Sequence, residues 1–175
     1  AEAEVSGIAE LQYRCPAEAL GLASVEVRHV VESWMLERPL PYLRGCRFDG
    51  VDRCFAALER SGVTLAVLSD YPAARKLAAL GLEVELQVSG VDPEVDRLKP
   101  HPGGLRRVLE LAGVAPEQAV MIGDREDRDG ECARRAGVRA LIKVSKPQRD
   151  KACFRDFADL TQSLEQSSAE DAALQ

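Results

Sequence analysis

Leu65-Ala66-Val67-Leu68-Ser69-Asp70 and Ala119-Val120-Met121-Ile122-Gly123-Asp124-Arg125-Glu126-Asp127-Arg128-Asp129 are the two stretches that decide the fold. Each opens on a short, unbroken apolar run, the pattern of a strand covered on both faces in a parallel sheet. Each then passes at once into hydroxyl and carboxylate residues. In an open parallel sheet, ligands bind beyond the carboxyl ends of the strands, so polar residues in that position carry functional weight.

Working outward, each apolar run is followed by a polar or proline-containing turn, an amphipathic segment, a glycine and another apolar run. The spacing predicts helices over Pro72 to Leu80, Pro102 to Ala112 and Gly130 to Ala136, closed by Gly81, Gly113 and Gly137. Val84 to Val88 and Val138 to Val144 mix in polar residues and are expected as strands nearer the sheet edges. This rhythm is βαβ, and it predicts an α/β fold: an open, Rossmann-like parallel sheet sandwiched by helices.

On the N-terminal side, Val27, Val30, Val31, Trp34 and Met35 recur at helical spacing, and Arg38-Pro39-Leu40-Pro41 breaks the pattern. Val51 to Ser61 reads as a further helix, with Val51, Phe55 and Leu58 on one side and Gly62 closing it. Phe154 to Leu164 is expected as a last helix, and 166–175 as a frayed polar tail.

Composition narrows the function classes. A chain of 175 residues fits one compact domain with a small appendage, and 46% apolar with 30% charged residues excludes a disordered or fibrous protein. A net charge of -6 argues against nucleic acid as a partner, since duplex binding needs clustered cations. Arg134-Arg135 is read as a solvated face. The five cysteines contain no Cys-x-x-Cys pair, so neither a zinc knuckle nor a disulfide framework is indicated. No apolar run is long enough for a bilayer, no membrane partner is expected, and a reducing cytoplasm is the expected compartment.

Between the two deciding stretches lies Arg97-Leu98-Lys99-Pro100-His101-Pro102, a lysine fixed by a following proline just before a helix. An ammonium about 4 Å from a phosphate oxygen is worth roughly 4 kcal/mol at an intermediate dielectric, more than a hydroxyl contact. His29 and His101 sit in contexts that supply no base for a Ser-His-Asp set.

The order Ser69, Lys99, then Gly123-Asp124 with Asp129 resembles motifs two, three and four of the haloacid dehalogenase-like hydrolase superfamily, phosphatase type, over about Arg47 to Val144. The resemblance implies that Ser69 hydrogen-bonds a phosphoryl oxygen, with backbone N–H groups of Asp70 and Tyr71 beside it. It implies that Lys99 neutralises charge on the nucleophile and phosphoryl group. Asp124 would coordinate Mg2+ directly, and Asp129 would either bind it through water or hold Lys99. Arg125 is a further candidate for the crevice. The implied substrate is a small phosphomonoester. Each residue also has a plain structural alternative: Ser69 or Asp70 capping the helix at Pro72, Asp129 capping the next helix, and Lys99 as a surface lysine.

The family's first motif, Asp-x-Asp at the end of the central strand, has no counterpart in strand context upstream of Ser69. Asp49-Gly50-Val51-Asp52 opens a helix instead. On this reading, 1–46 is part of a helical cap, 47–165 the α/β core and 166–175 the tail, and the nucleophile lies outside the chain. The rival readings are a non-catalytic phosphate- and metal-binding module and, more weakly, a dehalogenase, which has no need of the metal that Asp124 and Asp129 would hold.

Overall fold

A computed structural model describes residues 7–146 and 152–162. The expected tail at 166–175 and the end of the expected last helix lie outside the described residues.

The N-terminal part is helical: α1 (Ile8–Leu20), α2 (Ser24–Val31), a π-helical turn (Glu32–Glu37) and the short α3 (Leu40–Leu43). Tyr13 and Ala17 of α1 and Val27 of α2 are buried between these helices. Arg28 of α2 lies 4.1 Å from the Tyr13 ring centroid and forks onto the Glu10 carboxylate at 2.6 and 2.7 Å. The helical face expected over 26–35 is corrected in one respect: apart from Val27 it does not form a core. Val30, Trp34 and Met35 are exposed, and Arg38 stacks on Trp34. The π-helical turn slips the register, so the side chains after Val31 leave the face that Val27 sets.

The second part alternates strands and helices: α4 (Val51–Arg60), β1 (Ala66–Ser69), α5 (Ala74–Leu80), β2 (Leu86–Ser89), α6 (Gly103–Ala112), β3 (Val120–Gly123), a π-helical turn (Glu126–Gly130), α7 (Glu131–Ala136), β4 (Arg139–Lys143) and β5 (Cys153–Phe154). Residues 157–162 are helical. Gly81, Gly113 and Gly137 end α5, α6 and α7 with φ of 66°, 66° and 75°, the left-handed conformation that glycine adopts without a Cβ penalty.

All strand pairs are parallel, but they form two sheets among the described residues. β1 pairs with β2, Ser69 lying opposite Ser89; β3, β4 and β5 form the second sheet in that order. β4 is therefore an interior strand, not the edge strand its polar residues suggested, because β5 covers its far side. β1 and β3, whose unbroken apolar runs were read as doubly flanked, each have a single hydrogen-bonded neighbour.

One core serves both sheets. Leu105 and Leu109 of α6, Met121 of β3, Cys132, Ala133 and Ala136 of α7, and Val138 pack together, with Leu68 of β1 against them. Each such Leu or Met contributes about 1.5–3 kcal/mol by leaving water. α6 approaches β1 so closely that a Cβ on Gly104 would sit 2.6 Å from a Leu68 methyl. No described helix is long and apolar enough to cross a membrane.

Candidate active site

The carboxyl ends of β1 and β3 meet the loop between β2 and α6, and the meeting is made by charged side chains. Ser69 closes β1 half-buried, and its Oγ is 3.4 Å from the Tyr71 N–H, a long contact. In register with it on β2, the Ser89 hydroxyl is buried without a partner among the described residues. The next residue, Asp70, turns inward. Its Oδ1 accepts the backbone N–H of Lys99 at 2.9 Å, and its Oδ2 accepts Nη1 of Arg128 at 3.1 Å.

Lys99 Nζ lies 2.8 Å from Asp129 Oδ1, with the two side chains only 16% and 7% exposed. Asp129 gets there because the π-helical turn curls back on itself: the Arg125 carbonyl accepts N–H groups from Arg128, Asp129 and Gly130. That curl carries the Asp129 carboxylate over β3, where Oδ2 accepts the N–H groups of Asp124 and Arg125, each at 3.1 Å. Only glycine fits at position 123, because a Cβ there would overlap the Asp129 carboxylate. Burial pushes the Asp129 carboxyl up, but the Lys99 ammonium and the two backbone N–H groups outweigh it and hold the group below the ordinary aspartate range.

The structure thus brings Ser69, Asp70, Lys99 and Asp129 to one crevice, with the exposed Asp124 at its rim. Arg125 goes elsewhere: its guanidinium grips the exposed Asp127 at 2.7 Å. Neither helix-capping alternative is realised, since α5 and α7 carry no side-chain cap. Trp34 is exposed beside Arg38. Two features escaped the sequence reading: the side-chain role of Asp70 and the inward turn of Arg128. The run Arg125 to Asp129 mixes both signs of charge, and nothing in it tells which arginine faces the crevice.

A family model described as haloacid dehalogenase-like hydrolase matches residues 11–137. The chain belongs to the haloacid dehalogenase-like hydrolase family. It is 33% identical over 135 residues to a phosphoserine phosphatase of Thermus thermophilus, covering 75% of this chain and 53% of that protein. With a plasmid phosphoglycolate phosphatase of Cupriavidus necator it shares 36% identity over 97 residues, 54% of this chain and 42% of the relative. The chain therefore spans about half the length of these curated relatives. Among solved haloacid dehalogenase-like structures, a HAD phosphatase from Thermococcus onnurineus superposes with a TM-score of 0.62 at 21% identity, over 89% of this chain and 87% of that one. A 2-haloacid dehalogenase from Pseudomonas syringae gives 0.62 at 22% identity, over 91% and 72%. These likenesses show the α/β fold, with parallel strands flanked by helices.

A divalent cation can be tested against the donors present. Among the described residues no group of three or more His, Cys, Asp or Glu side chains is placed to hold a metal ion. The Asp124 carboxylate is exposed and makes no hydrogen bond among the described residues, whereas both Asp129 oxygens are engaged. One hard carboxylate donor suits Mg2+, which commonly takes one or two carboxylates and completes its shell with water and phosphate oxygens.

Proposed function

We propose that this chain is the phosphate- and metal-binding part of a Mg2+-dependent phosphomonoester hydrolase acting on a small phosphorylated substrate in the cytoplasm. The observation that carries the proposal is the half-buried Lys99 ammonium, fixed on Asp129 in a loop whose backbone is tied to Asp70, the residue after Ser69. A lysine held this way meets an anion without first losing rotamer freedom. Phosphoserine and phosphoglycolate, named for the relatives, are both small phosphomonoesters and support that substrate class.

In this reading Ser69 donates its hydroxyl to a phosphoryl oxygen, with the Asp70 and Tyr71 backbone N–H groups nearby. Lys99 offsets the charge of the phosphoryl group. Asp124 is the direct magnesium ligand, and Asp129 fixes Lys99 and reaches the ion only through water. Bound there, Mg2+ would supply further charge neutralisation at the phosphoryl oxygens. Arg125 contributes to the rim only if its grip on Asp127 is released.

The attacking aspartate of the family's Asp-x-Asp motif belongs, on this proposal, to a strand outside the chain that lies between β1 and β3. The edges of β1 and β3 that have no hydrogen-bonded neighbour among the described residues support that placement. On this proposal the described residues up to Cys46 belong to a cap and those from Arg47 onward to the core. The lack of an Asp-x-Asp motif in strand context upstream of Ser69 supports a second reading, a module that binds phosphate and metal without turnover.

Hydrolysis of p-nitrophenyl phosphate by the native protein, with and without Mg2+, tests the proposal. Turnover that needs Mg2+ and falls at least a hundredfold in Asp124→Ala or Lys99→Ala is expected. Phosphate and Mg2+ raising the melting temperature with no turnover would select the binding module. No response of either kind would sink both readings.

A further inference from the structure

Lys99 sits in the loop between β2 and α6, where no strand or helix ladder fixes its backbone. Its N–H is instead held by the Asp70 carboxylate, from 29 residues earlier in the chain. The other oxygen of that carboxylate holds Arg128, the residue immediately before Asp129. Asp129 in turn holds the Lys99 ammonium at 2.8 Å. The four side chains close a ring: Asp70 to Lys99 through its backbone, Lys99 to Asp129, Asp129 to Arg128 through the chain, and Arg128 back to Asp70. Two cations and two carboxylates alternate round it. Asp70 is only 16% exposed, so its hydrogen bonds form largely out of water, where they are stronger and their loss costs more.

We propose that Asp70 is the positioning residue of the crevice: one carboxylate oxygen holds the Lys99 backbone and so fixes where the Lys99 ammonium meets phosphate, while the other ties Arg128 to the same carboxylate. The inference rests on the reading of Lys99 as a phosphate ligand. A carboxylate that merely balanced Arg128 would need neither the second hydrogen bond nor a place directly after Ser69. The two oxygens have separable duties. Asp70→Asn keeps a carbonyl oxygen for the Lys99 N–H but turns an NH2 group toward Arg128. Asp70→Ala removes both acceptors.

The test uses the full chain with 15N-labelled lysine. The Lys99 ammonium signal, assigned by its loss in Lys99→Arg, reports the 2.8 Å contact, because a held ammonium exchanges slowly with water. Asp70→Ala is expected to abolish that signal or move it to the free-lysine position, and Asp70→Asn to keep it. In magnesium buffer, affinity for inorganic phosphate should fall about tenfold in Asp70→Ala and stay within about threefold in Asp70→Asn, in keeping with the sensitivity of bound geometry to small displacements. If Asp70→Ala does not fold, Asp70→Glu serves in its place. It keeps the charge for Arg128 while a longer stem displaces the acceptor from the Lys99 N–H, and the same loss is expected.

An unchanged Lys99 signal in the folded Asp70→Ala or Asp70→Glu variant overturns the proposal. So does an Asp70→Asn variant as impaired as Asp70→Ala. Loss of the signal in a chain that never binds phosphate would leave the positioning role standing and remove the phosphate reading instead.

Discussion

β1 and β3 consist of unbroken apolar residues before their polar ends, yet Val120 and Ile122 of β3 are 47% and 41% exposed, and Ala66 at the start of β1 is exposed too. β2 and β4 carry glutamine, arginine and lysine, yet their apolar residues are all buried or half-buried. Parallel sheets ordinarily run the other way, with the most apolar strands the most enclosed. The contrast teaches that strand composition records how many neighbours a strand is built for, and for β1 and β3 the described chain supplies one each. The two half-sheets are joined by α6, by the shared core and by the charged pairs at their tips.

The largest way to break this arrangement is at the tips. Lys99→Ala would leave the Asp129 carboxylate buried without its cation, and removing one partner of a buried pair costs about 3 kcal/mol or more. Urea denaturation of the two chains measures it, and a loss below about 1 kcal/mol would mean the half-sheets do not depend on their tips. Adjacent residues of β3 then set the two faces against each other. Met121→Ala, in the core, should cost about 2–4 kcal/mol, and Ile122→Thr, on the open side, no more than about 0.5 kcal/mol. The comparison sharpens if the same Ile122→Thr change costs well over 1 kcal/mol in a longer protein that fills the space between β1 and β3.

Acid supplies a smaller perturbation. Asp129 is held below the ordinary aspartate range by Lys99 and backbone N–H groups that together outweigh burial, so its folded value lies under its unfolded one. Its contribution is therefore complete above about pH 4 and is lost as pH falls through the folded value. Melting temperatures recorded from pH 6 downward should fall less steeply in Asp129→Asn than in the parent. The smallest effect is expected on α7, where Arg134 and Arg135 hold the Glu131 carboxyl down at about 2. Both arginines are exposed and Glu131 is only partly covered, so Glu131→Gln should leave the melting temperature at pH 7 close to the parent value.

What the sequence made legible was the part governed by local rules. The glycines closing α5, α6 and α7 stand where a left-handed residue is required, and the apolar runs mark β1 and β3. Ser69, Lys99, Asp124 and Asp129 could be picked out because each follows or precedes a recognisable element. The two-residue β5 is too short for any periodicity to announce it. The slip of register at Glu32–Glu37 comes from a π-helical turn that a 3.6-residue pattern does not encode. The Asp70–Arg128 pair spans 58 residues of sequence and exists only once the fold brings the carboxyl ends of β1 and β3 towards the same loop.

The open edges also bear on how copies of this chain meet. An unpaired strand edge is a row of free N–H and C=O groups ready to accept another strand. Here the two edges differ, so an encounter of β1 in one molecule with β3 in the next is heterologous: it uses one edge of each copy and leaves the other free. Contacts of that kind do not close on themselves as a twofold dimer does, and they propagate. The outer edges of β2 and β5 also lack a neighbour among the described residues, so association at high concentration should be open-ended, growing in size with concentration instead of stopping at a fixed number of copies.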